Sequence, residues 1–247
     1  MDKFIVFLDI DGTLDYHGKI PEENIKAIEK AQKNGHLVML NTGRSYGNIH
    51  KRVLDSAKWD GVLCGLGSDI RFKGKQVFSK PIPWDLMEQY EDLFDTYPLI
   101  YECEDGIYEN EKCYKECFVL GELIKSQCEI YSTRLSKFNV QIKANEELIK
   151  RLEKDFFVYE HPTYTEMCLK GLGKDYAIKK LMTEFTDGSY KSIGMGDSDN
   201  DITMLKSVDI SVAMGDANDE VKSICDYTSI DAGKGGVAHA LKHFGLI

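Results

Sequence analysis

The apolar run Phe4-Ile5-Val6-Phe7-Leu8 is stopped by Asp9, and this arrangement of a short apolar run ended by Gly, Asp or Thr recurs along the chain. A run of this length without alternation predicts a strand buried on both faces. Pro21 then suits a first helical position, with Glu22 and Glu23 in the positive first turn, Ile25 and Ile28 on the inward face and Gly35 as the stop. Residues 37–40 and Gly61–Cys64 predict two further strands. Ala177, Ile178, Leu181 and Phe185 recur at helical spacing, and residues 192–195 and 210–212 predict two more strands. Alternation of this kind predicts an α/β fold with a parallel sheet and helices on both faces. In such sheets the chemistry gathers at the carboxyl ends of the strands.

Residues 82–169 follow a different pattern. Trp84, Met87, Tyr90, Leu93 and Phe94 make a helical stripe suited to core packing. Strands are predicted at Leu99–Cys103 and Ile107–Glu109, with Asp105-Gly106 as the hairpin turn. Residues 138–142, a helix over 146–154, and strands at 156–159 and 166–169 follow. This is an α+β pattern. It also holds the charge imbalance: the chain carries 31 basic and 41 acidic residues, a net charge of −10, and this segment alone has 9 basic and 19 acidic. The break predicts an α+β domain at 82–169 inserted into a Rossmann-like core formed by 1–81 and 170–247.

The composition excludes several classes. Hydrophobic residues make up 43% and Pro numbers only 5, so the chain can afford a large core and is not disordered. No apolar stretch approaches the roughly 18 to 20 residues that span a bilayer. Met1-Asp2-Lys3 does not start a secretory signal, which predicts a cytoplasmic protein with no membrane partner. The cysteines at 64, 103, 113, 117, 128, 168 and 225 are odd in number and lack a C-x-x-C pair, so reduced, mostly buried thiols are expected. No basic stripe marks a nucleic-acid partner.

The strand ends are rich in acids. Asp9-Ile10-Asp11-Gly12-Thr13-Leu14 closes the first strand. Residues two apart in extended chain point the same way, so Asp9 and Asp11 can share one site. Carboxylates that close repel one another unless a cation offsets them, and Gly12 lets the chain turn away. Gly194-Met195-Gly196-Asp197-Ser198-Asp199-Asn200-Asp201 ends the fourth strand and suits a hard cation with oxygen ligands. It is no EF-hand, since Ile202 and Val208 stand where such a loop needs Gly and Glu; a helix cap by Asp199 or Asn200 is the plain structural alternative for those two residues. Between the clusters, Asn41-Thr42-Gly43-Arg44-Ser45 offers a hydroxyl and amides at an expected helix start, either an anion cradle or a simple N-cap. Lys174 precedes another helix. Together these groups predict a site for Mg²⁺ and a phosphoryl group, whose charges the metal and the lysine offset.

This set, D-x-D-G-T-L, T-G-R, a later Lys and G-D-x-x-N-D, resembles the haloacid dehalogenase superfamily of phosphatases. More closely it resembles the Cof-like sugar phosphatase branch with a type IIB cap domain, which also shows Met214-Gly215-Asp216-Ala217, Glu220-Val221-Lys222 and Gly235-Gly236-Val237-Ala238 near its C-terminus. The resemblance implies a magnesium-dependent hydrolase of a small phosphate monoester, a sugar phosphate above all, acting through an aspartyl-phosphate. It implies Asp9 as nucleophile and Asp11 as general acid and base. Thr42, Gly43, Lys174 and Asn200 would bind the substrate phosphate. The metal would be bound by Asp9, the Asp11 carbonyl and Asp197, with Asp201 supporting that shell from behind. The chain departs from the branch at Leu66, where Asn commonly precedes Gly67, and at Asp175, where Gly commonly follows the lysine.

Rival readings are a phosphomutase of the same superfamily and a non-catalytic protein that binds a phosphate ligand. A dinucleotide site is excluded because neither Gly65-Leu66-Gly67 nor Gly194-Met195-Gly196 supplies the third glycine, and no P-loop occurs. His239 and His243 lack the acid of an H-E-x-x-H pair. The acids Glu102, Glu104, Asp105, Glu109 and Glu111 suggest a leaving group that is neutral or cationic. A monomer or small homo-oligomer is expected.

Overall fold

The computed structural model describes residues 2–110, 124–125 and 132–247. The chain divides into two compact units, one made of Met1–Gly43, His50–Val77 and Gly173–Ile247, the other of Arg44–Ile49 and Phe78–Leu172. Strands are numbered along the chain.

The first unit is built on β1 (Lys3–Leu8), β2 (Leu37–Asn41), β3 (Gly61–Cys64), β4 (Asp69–Phe72), β5 (Lys75–Ser79), β12 (Tyr190–Gly196), β13 (Ile210–Ala213) and β14 (Tyr227–Thr228). They form one sheet in the order β14-β13-β12-β1-β2-β3-β4-β5. From β14 to β3 the strands are parallel. Ile5, Val6, Phe7 and Leu8 are wholly buried, as a strand covered on both faces requires. β1 sits between β12 and β2, with Leu8 level with both Met195 and Leu40. The α/β architecture expected from the alternation is therefore present, and the two acid-bearing strands are neighbours.

The antiparallel extension β4–β5 is an addition to the expected sheet. Arg71 interrupts its apolar pattern, and its turn, Lys73-Gly74, takes two successive positive φ angles, 51° and 76°, the geometry that closes a two-residue hairpin. Helix α1 (Glu22–Lys33) follows Pro21 as predicted, with Glu22 and Glu23 in its first turn. Its wholly buried Asn24 accepts a hydrogen bond from the Ala238 amide at 3.0 Å, fastening α1 to the C-terminal helix over Gly236–His243. Ala177, Ile178 and Leu181 form the inward face of the helix Lys174–Glu184, while Phe185 lies at its C-cap and is half-buried.

The second unit holds β6 (Leu99–Cys103), β7 (Ile107–Glu109), β8 (Ile124–Lys125), β9 (Leu135–Val140), β10 (Phe156–Glu160) and β11 (Thr165–Leu169), in the order β10-β11-β9-β6-β7-β8. Tyr101, Cys103, Phe138, Val140 and Met167 join an apolar cluster with Met87, Leu93 and Leu148 from the helices. The alternate residues are polar: the Lys137 ammonium lies 3.0 Å from Glu102 and 2.5 Å from Glu166, all three buried. The Ser45 amide donates to the other Glu102 oxygen at 3.1 Å. Glu104 is paired with Arg134, while Asp105 accepts from the Tyr108 and Thr133 hydroxyls. Glu111 lies outside the described residues, as do Cys113, Cys117 and Cys128.

Two expected elements here differ. The stripe from Trp84 to Phe94 is broken into helices Trp84–Glu88 and Glu91–Thr96, because Tyr90 leaves helical geometry at φ −119°, ψ 20°. Its hydroxyl donates to Asp155 at 2.6 Å and its ring meets Phe156 edge-on, a tertiary contact that overrides the local periodicity. The strand expected at 138–142 lies at Leu135–Val140 instead. The Thr165 hydroxyl donates to the Ile142 carbonyl and accepts from the Ala144 amide, which takes that end of the segment out of the ladder.

Cys64, Cys103 and Cys168 are buried thiols and Cys225 a half-buried one. Burial pushes the Cys168 thiol up to about 12, which keeps it protonated. Among the described residues no helix is long and apolar enough to cross a membrane.

The buried ring of His36 accepts a hydrogen bond at Nδ1 from the Phe4 amide, 3.1 Å away, at the start of β1. Burial holds its pKa below the ordinary 6.5. The unfolded chain therefore takes up this proton first as pH falls, and stability present above pH 6.5 drains away below it. Urea midpoints measured across pH 7.5 to 5 should fall more steeply for the wild type than for His36→Leu.

Candidate active site

β1 and β12 end side by side, and each ends in an acid. The Asp9 amide extends the ladder by donating to the Met195 carbonyl at 3.0 Å, so its backbone is fixed by the sheet. The chain then turns tightly: the Ile10 carbonyl accepts from the amides of Leu14 and Asp15 at 3.1 and 2.8 Å. Gly12 sits in this turn at φ +85°, and a Cβ placed there would stand 2.3 Å from an Asp197 carboxylate oxygen. Only glycine fits, by conformation and by space.

On the β12 side, Ser198 caps a short helical turn over Asp199–Asp201, and Ser198 and Asp201 form a capping box. One Asp201 oxygen accepts from the Asp197 and Ser198 amides at 3.0 and 3.2 Å. The cap is thus Ser198, neither Asp199 nor Asn200; Asp199 instead accepts from Asn218 at 2.7 Å. The Thr13 hydroxyl donates to Asp197 at 2.9 Å and ties the first loop to the second.

Lys174 joins the two. Its side chain is wholly buried, and its ammonium lies 2.6 Å from Asp9, 2.6 Å from Asp201 and 3.2 Å from the Asn200 side-chain oxygen. All three of its protons have acceptors. Backbone contacts place it: the Lys174 carbonyl accepts from the buried Asn41 side chain at 3.2 Å, and Gly173 packs so closely on Gly67 that a Cβ on Gly67 would lie 2.4 Å from the Gly173 carbonyl oxygen. Asp175 stands in the first turn of that helix, where an acid meets the positive end of the dipole.

The structure therefore brings Asp9, Lys174, Asp197, Asn200 and Asp201 into one hydrogen-bonded network. Asp11 is exposed on the turn beside Asp9. Thr42 and Gly43 lie at the end of β2, next to β1, with the Thr42 amide donating to Leu63. The helix expected to begin there is only a single turn, Tyr46–Asn48, and Ser45 at its N-cap makes no side-chain capping bond. Leu66 lies at φ 52°, ψ 41°, a left-handed conformation that Asn adopts readily and Leu does not. Its side chain is 3.5 Å from where a Cβ on Gly43 would be, so apolar packing replaces the polar group common in the related branch. Thr13, Ser198 and Asn41 were not anticipated; the S-x-x-D spacing of 198–201 is the one signal that could have found Ser198.

The charges decide what this site needs. Asp9, Asp197 and Asp201 offer carboxylate oxygens within 4.8 Å of one another, against one ammonium. Burial, and after it the Asp201 charge, raise Asp9 to about 8 against the opposing pull of Lys174. Burial, then Asp201, lifts Asp197 to about 7. Three carboxylates and one ammonium leave two negative charges when all are ionised, which one divalent cation would cancel. The donor set is all oxygen, as Mg²⁺ prefers. Asp201 has both oxygens engaged by Lys174 and by the loop amides, so Asp9 and Asp197 are the acids best placed to hold the ion.

The fold and geometry define an α/β protein with buried carboxylates gathered around one lysine at neighbouring strand ends. The family model for the haloacid dehalogenase-like hydrolases matches residues 6–241, and the chain belongs to that family. It is 27% identical over 256 residues to 5-amino-6-(5-phospho-D-ribitylamino)uracil phosphatase YcsE of Bacillus subtilis, covering 100% of this chain and 97% of that protein. It is 25% identical over 240 residues to phosphoglycolate phosphatase 1 of Saccharolobus solfataricus, covering 94% and 91%. Among solved structures, a subclass IIB sugar phosphatase of the superfamily superposes with a TM-score of 0.79 at 25% identity, covering 99% of this chain and all of that one.

Replacing Lys174 by Met should leave Asp9 and Asp201 buried without a counter-charge. Breaking a buried ion pair from one side costs about 3–5 kcal/mol. Chemical denaturation of Lys174→Met should show a loss of that order.

Proposed function

We propose that this protein is a magnesium-dependent phosphatase that hydrolyses a small phosphate monoester, a sugar phosphate, through an aspartyl-phosphate on Asp9. The observation that carries the reading is the Asp9 carboxylate: buried at a strand end, fixed through its backbone to β12, and held on one oxygen by Lys174. That leaves the second oxygen to attack. A carboxylate so held loses little freedom on reaching the transition state.

In this mechanism Thr42, the Gly43 amide, Lys174 and Asn200 hold the phosphoryl oxygens. Asp9 forms a bond to phosphorus while the bond to the leaving oxygen breaks. Asp11 gives that oxygen its proton and then takes a proton from the water that attacks the aspartyl-phosphate. Asp9, the Asp11 carbonyl and Asp197 would hold Mg²⁺, whose charge would offset that of the phosphoryl group and of the acids around it. Asp201 orients Lys174 and the Asp197 loop. The second unit serves as the cap that excludes water during turnover.

The named activities of the relatives, a ribitylamino-linked phosphate, phosphoglycolate and sugar phosphates, support a small phosphate monoester as substrate. The reading includes a cytoplasmic location, supported by the buried thiols. It includes no nucleic-acid or membrane partner, and a monomer or small homo-oligomer.

The test is a screen of sugar phosphates and other small phosphate monoesters, with and without Mg²⁺. Release of phosphate that requires the metal is expected. An isomerised phosphate ester in place of free phosphate would mean a phosphomutase, and folded protein inactive on every ester would mean a binding protein. Asp9→Asn should abolish turnover almost wholly while the fold is kept, because an amide does not attack phosphorus. Asp197→Ala should raise the Mg²⁺ concentration needed for half-maximal rate, with excess metal restoring part of it.

A further inference from the structure

Asp15 lies four residues beyond Asp11 on the turn that closes β1, in a place where an acid is costly. It is 4% exposed. One carboxylate oxygen pairs with the Arg52 guanidinium, while the other is buried with no hydrogen-bond partner. An anion so placed depends on that cation, because among the described residues no other group compensates its desolvation. Arg52 belongs to the short helix Lys51–Leu54, which lies beyond the Thr42–Gly43 strand end, and its side chain is 42% exposed. It has no part in the network around Lys174.

The backbone of Asp15 is bound just as firmly to the neighbourhood of Asp11. Its carbonyl accepts from the Gly12 amide at 2.9 Å, its amide donates to Ile10 at 2.8 Å, and Asp11 and Asp15 form an isolated bridge. The residues on either side of Asp11 are thus both tied to Asp15. A force on the Asp15 side chain is carried by these bonds to the Asp11 backbone. Asp11 itself is exposed on this turn.

We propose that Arg52 is a positioning residue: through its ion pair with Asp15 it fixes the turn that aims the Asp11 carboxyl at the leaving oxygen. The inference rests on Asp11 being the proton donor of the proposed phosphatase. In that step the proton passes from the Asp11 carboxyl to the leaving oxygen as the bond from that oxygen to phosphorus breaks and the bond from Asp9 forms. A misaimed Asp11 hurts poor leaving groups most, since an alkoxide needs the proton and a nitrophenolate leaves without it.

The experiment compares kcat on p-nitrophenyl phosphate and on the best alkyl phosphate of the panel, for wild type, Arg52→Met and Arg52→Lys, with thermal unfolding recorded for each. Arg52→Met should lose about tenfold more kcat on the alkyl ester than on the aryl ester, part of the 10²- to 10⁴-fold that a general acid supplies. Arg52→Lys should recover most of that difference. An equal loss on both esters, or none on the alkyl ester, overturns the inference while leaving the phosphatase reading intact. Wild-type protein inactive on both esters would bring down the phosphatase reading itself, and this inference with it. Should Arg52→Met fail to fold, Asp15→Asn removes the same charge pairing with an isosteric group and must show the same dependence on leaving group.

Discussion

One ammonium holds the site together. Lys174 is inserted into a pocket of carboxylates that repel one another and that burial already disfavours as anions, and it engages all three of its protons there. It does so from the first position of a helix over Lys174–Glu184, so its place depends on how that helix is seated. The close pass of Gly67 and the Asn41 side chain seat it. The ends of β1, β2 and β12 and the turn after β3 are therefore coupled through one lysine. Even so the compensation is incomplete. Asp9 and Asp197 remain raised to about 8 and 7, which is a standing electrostatic cost of folding. A site that stores unfavourable charge without a ligand is one that a cation stabilises by binding.

The sheet order explains why these groups meet. From β1 the chain proceeds outward through β2 and β3 on one side, and its last strands run outward through β12, β13 and β14 on the other. β1 and β12 thus flank the point where the direction of winding reverses. In open α/β sheets such a reversal is where ligand sites form, at the carboxyl ends of the strands. Asp9 and Asp197 are the first residues past these two neighbouring strands, so their proximity follows from topology before any side-chain contact is considered.

Much of this was legible in the sequence because the signals are local. β1, β3, β6 and β7 are short apolar or alternating runs with clear stops. The acids at 9 and 197 stand directly after strands, and those at 11 and 201 follow in the same loops. Where local pattern and tertiary contact conflict, the sequence misled. Tyr90 fits a continuous helical stripe, yet its bond to Asp155 breaks the helix. Thr165, distant along the chain, ends β9 early through its hydroxyl. The Thr13–Asp197 and Asn41–Lys174 bonds join residues more than a hundred positions apart, and no spacing rule announces them. The pairing of Glu102 with Lys137 and of Glu104 with Arg134 is another such contact, since composition does not record which charges meet.

The departures at Leu66 and Asp175 become intelligible in the same terms. A left-handed residue after β3 costs Leu roughly 1–2 kcal/mol of backbone strain that Asn or Gly would largely avoid. Leu66 recovers it by burying nearly all of its side chain, worth about 1.5–3 kcal/mol, over Gly43. The loop thus presents an apolar side chain beside the Thr42–Gly43 strand end. An apolar wall there lowers the local dielectric response and strengthens whatever charge the neighbouring amide and hydroxyl meet. The departure at Leu66 is, in structural terms, a change in the medium around the Thr42–Gly43 end of β2.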